Sequence, residues 1–288
     1  MEYVIVIAVI VLIGIICWGI YENNHVMVTN YELDSKRVPR DMKGLKIVQL
    51  SDLHNIRNEE LRASILYKVK CIEPDLILFT GDMLDKYRPN VKIALDFMQK
   101  LSNIAPTYYT FGNHDYKAKD RLHLFNSLYD FNENIASNNA FVFKHKRQRM
   151  NIIALEDPVK AQKYNKVYGL PKQSNKEIVN EALEELKYNH RNFTILISHR
   201  PDFYKEYDRK NIDLVFTGHA HGGQFNIPPF GPLYAPGQGI LPKYAGGGMY
   251  DLKHTKMIVN RGIGNSTFPF RLNNRPEIVV VTLKNSYY

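Results

Sequence analysis

Lys46–His54 reads KIVQLSDLH: five mostly apolar residues, then a small polar loop that carries a carboxylate and an imidazole. The same arrangement returns four times further along. It recurs in Leu76–Asp82 (LILFTGD), Thr107–Asp115 (TYYTFGNHD), Phe193–His199 (FTILISH) and Leu214–His221 (LVFTGHAH). Short runs rich in β-branched and aromatic residues predict strands buried in a sheet. Side by side, their carboxyl ends gather Asp52, His54, Asp82, Asn113, His199, His219 and His221 into one crevice. Carboxylate, imidazole and amide oxygen without thiolate suit a hard or borderline divalent ion such as Mn, Fe, Zn or Co.

Each motif is chemically apt. In Asp52-x-His54 and His219-x-His221, alternate residues of an extended segment point the same way and can reach one ion. Asp82, in Gly81-Asp82-x-x-Asp85, is a carboxylate able to bridge two cations. In Gly112-Asn113-His114-Asp115, the amide oxygen ligates without adding charge and His114 is left for proton work. A single histidine after a strand is an ordinary structural residue. Five of the ten histidines in such loops point to a metal site, whereas His25, His123, His145, His190 and His254 read as surface residues.

Outward from these strands, Glu59–Val69 and Val91–Leu101 have helical spacing, and Ser174-x-x-Glu177 opens a helix to about Tyr188 with a capping box. Strands alternating with helices predict a mostly parallel sheet with helices on its faces. Val26–Leu33 reads as a strand, Ala140–Lys144 and Asn151–Leu155 as a hairpin, and Lys256–Asn260 and Glu277–Leu283 as the last two strands. Pro228–Gly248 reads as a long Pro/Gly-rich loop, a lid or substrate wall.

Val4–Tyr21 carries no charge and is long enough to cross a thin or locally adapted bilayer, with Trp18 and Tyr21 at interfacial level. A signal peptide is the competing reading; a basic leader and a clear cleavage site are both missing. A single-pass anchor in the cell membrane is therefore expected. Lys36, Arg37 and Arg40 favour a cytoplasmic domain but lie at the limit of the charge rule, so the side stays open. The expected division is 1–22 as anchor, 23–44 as tether and edge segment, and 45–288 as the catalytic domain.

The 288 residues, 44% hydrophobic and 23% charged, suit one folded domain rather than disorder. The net charge of +9 (38 basic, 29 acidic) suits anionic partners, but it is diffuse and no nucleic-acid module is present. Cys17 and Cys71 are not expected to pair; Cys71 reads as a small buried filler. Arg200 reads either as a phosphate contact or as a surface residue.

In order and spacing, Asp52-x-His54, Gly81-Asp82-x-x-Asp85, Gly112-Asn113-His114-Asp115, His199 and Gly218-His219-x-His221 resemble the calcineurin-like metallophosphoesterases, over roughly residues 45–285. Ser51-Asp52-Leu53-His54, Gly222-Gly223-Gln224, Arg261-Gly262-x-Gly264, Arg271-Leu272 and Pro276-Glu277-Ile278 resemble its membrane-anchored bacterial branch, YkuE-like or YaeI-like. The resemblance implies an α/β fold: a β-sandwich of two mixed sheets flanked by helices, preceded here by one N-terminal transmembrane helix. It also implies two divalent metals. One takes Asp52, His54, Asp82 and His221, the other Asp82, Asn113, His199 and His219, with Asp82 bridging. His114 becomes electrostatic stabiliser or general acid, Asp85 orients it, and Asp115 braces the loop. The implied reaction is hydrolysis of a phosphoester or pyrophosphate by metal-activated hydroxide. The expected substrate is a phosphorylated small molecule or a lipid at the bilayer, and Phe225, Phe230, Tyr234 and Tyr244 read either as an acyl seat or as core aromatics. The alternatives are a non-catalytic scaffold, against which the complete ligand set speaks, and a nucleic-acid phosphodiesterase.

Overall fold

The computed structural model describes residues 1–131, 134–136, 138–265 and 270–286. The chain opens with helix α1 (Glu2–Asn24), then strands β1 (Met27–Asp34) and β2 (Lys46–Leu50), α2 (Glu59–Ile72), β3 (Leu76–Phe79), α3 (Val91–Ser102) and β4 (Thr107–Thr110). Next come α4 (Asn113–Lys117), α5 (Arg121–Phe131), β5 (Ile135–Ala136), β6 (Asn139–His145), β7 (Gln148–Ala154), α6 (Val159–Val167), α7 (Asn175–Glu185), β8 (Phe193–Ile197), α8 (Tyr204–Tyr207) and β9 (Leu214–Thr217). Four two-residue strands follow, β10 (Asn226–Ile227), β11 (Gly231–Pro232), β12 (Tyr234–Ala235) and β13 (Gly239–Ile240), then β14 (Gly248–Asp251), β15 (Lys256–Val259) and β16 (Glu277–Lys284).

The strands divide between two six-stranded sheets, ordered β1-β16-β2-β3-β4-β5 and β14-β15-β9-β8-β7-β6. Both are mixed. β2 to β5 run parallel and β16 is antiparallel to β2; β15, β9, β8 and β7 run parallel and are flanked by antiparallel β14 and β6. Strand–helix alternation suggested a mostly parallel sheet; the fold is the sandwich of two mixed sheets that the family resemblance implied.

Period-two alternation sorts the side chains into layers. Ile47, Leu76 and Leu78 from the first sheet meet Ile195, Ile197, Leu214 and Phe216 from the second in one central core. Their neighbours Val48, Ile77 and Phe79 face outward, under Ile65, Val69, Phe97 and Leu101 of α2 and α3. Leu196 and Val215 face the other way, under Val179 and Leu183 of α7. Each central strand is buried on both faces, which is why its sequence reads as an unbroken apolar run.

The helices start where side chains can satisfy their free N–H groups. Asn58 accepts from Leu61 N at 3.1 Å and Asn90 from Ile93 N at 3.1 Å. Ser174 and Glu177 form the expected capping box, worth about 1 kcal/mol by the usual size of such caps. That helix stops at Glu185, short of Tyr188. Cys71 is exposed rather than buried: the inward face of α2 is set by Ile65 and Val69, four residues apart, and Cys71 falls off it. Pro228–Gly248 is not structureless; it contains the ribbons β10–β11 and β12–β13.

Helix α1, about 35 Å long at 1.5 Å per residue, is exposed apart from the buried Gly19 and Glu22 and the half-buried Asn23. It is apolar and long enough to cross a membrane. Its C-terminal end rests on the domain: the buried Glu22 accepts from Asn274 N at 2.7 Å and Arg275 Nε at 3.0 Å.

Candidate metal centre

The loops after β2, β3 and β4 of one sheet meet those after β8 and β9 of the other at a common end of the sandwich. Backbone bonds tie them together: Asp52 N to Gly81 O at 2.9 Å, His54 N to Asp82 O at 3.1 Å, and Gly218 N to His199 O at 2.9 Å. Asp52, His54, Asp82, Asn113, His114, His199, His219 and His221 are all buried there.

Asp52 and His54 converge, but not by strand alternation. Both lie beyond β2 with positive φ, 55° and 44°, and Asp82, His219 and His221 share that conformation at 57°, 66° and 47°. Five non-glycine residues in the left-handed region mark local strain that the surrounding fold must hold. Close approach adds to it. A Cβ at Gly112 would lie 2.2 Å from Asp82 Oδ1, and one at Gly218 would lie 1.9 Å from Ser51 Oγ.

Two groups of donor atoms form. In the first, His54 Nε2 stands 3.1 Å from His221 Nε2 and 3.7 Å from Asp52 Oδ1, and His221 Nε2 is 3.4 Å from that same oxygen. In the second, His199 Nε2 stands 3.1 Å from Asp82 Oδ2 and 3.2 Å from His219 Nδ1. Asp82 Oδ2 also lies 3.8 Å from His54 Nε2, so this carboxylate stands between the groups. Donors sharing a tetrahedral ion at about 2.0–2.1 Å stand roughly 3.3 Å apart, which matches these spacings. Asp52 Oδ1 and Asn113 Oδ1 are buried with no hydrogen-bond partner among the described residues. Such atoms are costly to bury unpaired, and a cation would satisfy them. The donor set therefore fits divalent metal.

Protonation agrees. Burial raises the Asp52 and Asp82 carboxyls, but the imidazoles around them, His221 first for Asp52 and His199 first for Asp82, outweigh it and hold both below the usual carboxylate range. Burial brings His221 down to about 3 and His219 well below its ordinary value. Burial works against a proton on His199 too, yet the adjacent Asp82 carries it up to about 10. A cation between His199 and Asp82 would take the place of that proton. His199 Nδ1–H donates to Thr80 O at 2.7 Å, which leaves Nε2 as the lone-pair nitrogen.

His114 sits beside this centre, its ring 4.6 Å from that of His54. Burial brings it down to about 4, so it is neutral at physiological pH. Lys86 N donates to its Nδ1 at 3.3 Å, which places the ring hydrogen on Nε2. Asp85 caps its own turn, accepting from Tyr87 N at 2.7 Å and Arg88 N at 3.0 Å. Asp115 braces the loops, accepting from Asp82 N, Leu84 N, Gly112 N and Tyr109 OH at 2.6 to 3.0 Å. Arg200 is part-buried and paired with Asp157 at 2.5 Å, so it is not an ordinary surface arginine.

Two contributors carry no signal in local spacing. Arg271, fully buried, places Nη2 3.3 Å from His221 Nδ1 and donates to Arg261 O and Gly264 O. Asn274 Nδ2 donates to His221 O at 2.6 Å. Arg271 stood out only within the branch resemblance, without a role.

The calcineurin-like phosphoesterase family model matches residues 45–223. The chain belongs to this family. It is 29% identical over 271 residues to the uncharacterized metallophosphoesterase YkuE of Bacillus subtilis, covering 92% of this chain and 88% of that one. It is 27% identical over 252 residues to the phosphodiesterase YaeI of Escherichia coli, covering 83% and 82%. A transmembrane protein with metallophosphoesterase domain from Danio rerio is 27% identical over 267 residues, 90% of this chain and 57% of that protein.

Proposed function

We propose that this protein is a dinuclear metal-dependent phosphohydrolase, anchored in the cell membrane by α1. The observation that carries the reading is the pair of buried donor groups meeting at Asp82, with Asp52 Oδ1 and Asn113 Oδ1 buried and without a hydrogen-bond partner among the described residues. Asp52, His54, Asp82 and His221 would hold one ion, and Asp82, Asn113, His199 and His219 the other. Divalent metal held by these residues would supply Lewis-acid chemistry, polarising phosphate oxygens and acidifying a bound water.

The chain's own residues do the rest. His199 is fixed by Thr80 O, and Asp82 by the His114 amide at 2.7 Å, so the ligands keep their geometry before metal arrives. His114, neutral and carrying its hydrogen on Nε2, offers that hydrogen to a phosphate oxygen as charge develops. Its low basicity supports the stabiliser role over that of general acid. Asp85 holds the turn whose Lys86 amide orients the ring.

The substrate is a phosphoester or phosphoanhydride presented at the membrane. The relative named as a phosphodiesterase favours a diester, and manganese is the first metal to supply. The test uses the full chain in detergent, stripped of metal and reloaded with Mn. Bis(p-nitrophenyl) phosphate is compared with p-nitrophenyl phosphate. Mn-dependent release of nitrophenol from the diester is expected; bound metal with neither compound cleaved would exclude a general phosphodiesterase.

A further inference from the structure

From Gly222 to Pro242 the chain has no Asp, Glu, Lys or Arg, although 23% of the whole chain is charged. This segment is no core element. Its ribbons β10–β11 and β12–β13 leave Phe230 72%, Tyr234 53%, Ile240 76% and Leu241 57% exposed. Exposed ribbons in water normally carry charge to discourage association, and an uncharged apolar one marks a contact surface.

Its position says what it contacts. Asn226 N donates to Leu272 O at 2.9 Å, and Asn273 Nδ2 donates to Asn226 O at 3.2 Å. The same Asn273 accepts from Trp18 Nε1 of α1 at 3.2 Å. The Phe270 ring lies so close to Gly19 that a Cβ there would fall 2.1 Å from it. The root of the ribbon and the end of the apolar helix are thus fastened to one short segment, residues 270–273. Glu22, bonded to Asn274 and Arg275, makes that junction rigid. Trp18 and Tyr21 stand where a spanning helix reaches the interface. The ribbon is rooted at that same level.

We infer that the Gly222–Pro242 ribbons insert into the bilayer that α1 spans, with lipid acyl chains as the partner of Phe230, Tyr234, Ile240 and Leu241. The inference rests on α1 being a membrane anchor. It deepens the proposed function, because the ribbon follows directly on His221, and Asn274 bonds both His221 O and Gln224 O. Inserted ribbons hold the donor groups against the headgroup layer, so the substrate is a phosphate carried by an amphiphile lodged in the membrane.

Trp18 is the single tryptophan of the chain, which permits a direct test. The full-length protein is reconstituted in phosphatidylcholine–phosphatidylglycerol vesicles containing phospholipid brominated near the top of one acyl chain. Wild-type Trp18 reports the span. Phe230→Trp and Tyr234→Trp, each on a Trp18→Phe background, report the ribbons. Val142→Trp, at the opposite edge of the second sheet, is the control. Far-UV circular dichroism and a thermal unfolding midpoint matching wild type show that each variant is folded. Quenching at positions 230 and 234 at least threefold stronger than at 142 is expected. Trp18 quenched with 230 and 234 no different from 142 overturns the inserted ribbon and leaves the anchor standing. Trp18 unquenched overturns the membrane reading itself, and the ribbon with it.

Discussion

The backbone amide of Asp82 donates to the carboxylate of Asp115 at 2.9 Å, so the carboxylate between the two donor groups is aimed by a second, fully buried one. Asp115 also takes the amides of Leu84 and Gly112 and the hydroxyl of Tyr109. Burial, with the charge of Asp82 added, pushes it up to about 6. Asp115→Ala strands those donors, and a loss of roughly 3 kcal/mol or more is expected in urea unfolding. Asp115→Asn keeps one accepting oxygen and should lose less. An alanine variant as stable as wild type would contradict the bracing role.

Gly112 is fixed by contact rather than by conformation, since its missing Cβ leaves room for Asp82 Oδ1. Gly112→Ala should push that carboxylate aside and weaken Mn binding by about 10- to 100-fold, the usual effect of disturbing a ligand's support. Calorimetric titration with Mn measures it, and circular dichroism should show the fold unchanged.

His114 should separate binding from chemistry. His114→Gln is expected to keep its full metal content while kcat falls by about 10²- to 10³-fold, the range for removing one donor to a developing negative charge. Elemental analysis beside steady-state kinetics decides it. Metal lost together with activity would make His114 a ligand instead.

Asp202 gives a pH signature. Burial raises its carboxyl to about 6, Asp157 adds to this, Arg200 opposes it, and Oδ1 is buried with no hydrogen-bond partner among the described residues. The folded state therefore holds this proton more tightly than the unfolded chain. The stability it contributes is complete below about pH 4 and is lost as pH rises through about 6. Asp202→Asn removes that loss. It should stabilise the protein by on the order of 1–2 kcal/mol at pH 8, allowing for solvent screening, and have little effect at pH 4. Equal unfolding midpoints for both proteins at pH 8 would contradict this.

The sequence was legible where one strand and its loop carried the message. KIVQL, FTILI and LVFT announce their strands because both faces are buried, and the polar residues that end them name the site. The division into two sheets came from the family resemblance and not from the strand patterns: a strand buried on both faces does not reveal which sheet it joins. Asp52 and His54 do come together, but through left-handed loop geometry that no strand pattern contains. Asn274 reaches His221 from 53 residues downstream, through tertiary packing alone. The exposure of Phe230 and Ile240 was likewise invisible, because an apolar residue in sequence looks the same in a core as on a ribbon.

In the proposed mechanism, Asp82 joins two metal sites into one hydrolytic centre. The most direct test counts metal and turnover together in the full-length protein and in Asp82→Ala, both reloaded with Mn. Two ions per wild-type chain and Mn-dependent hydrolysis are expected, with at most weak single-site binding and a loss of on the order of 10³-fold or more in kcat/KM for the variant. Wild-type metal content and undiminished hydrolysis in Asp82→Ala would contradict the account.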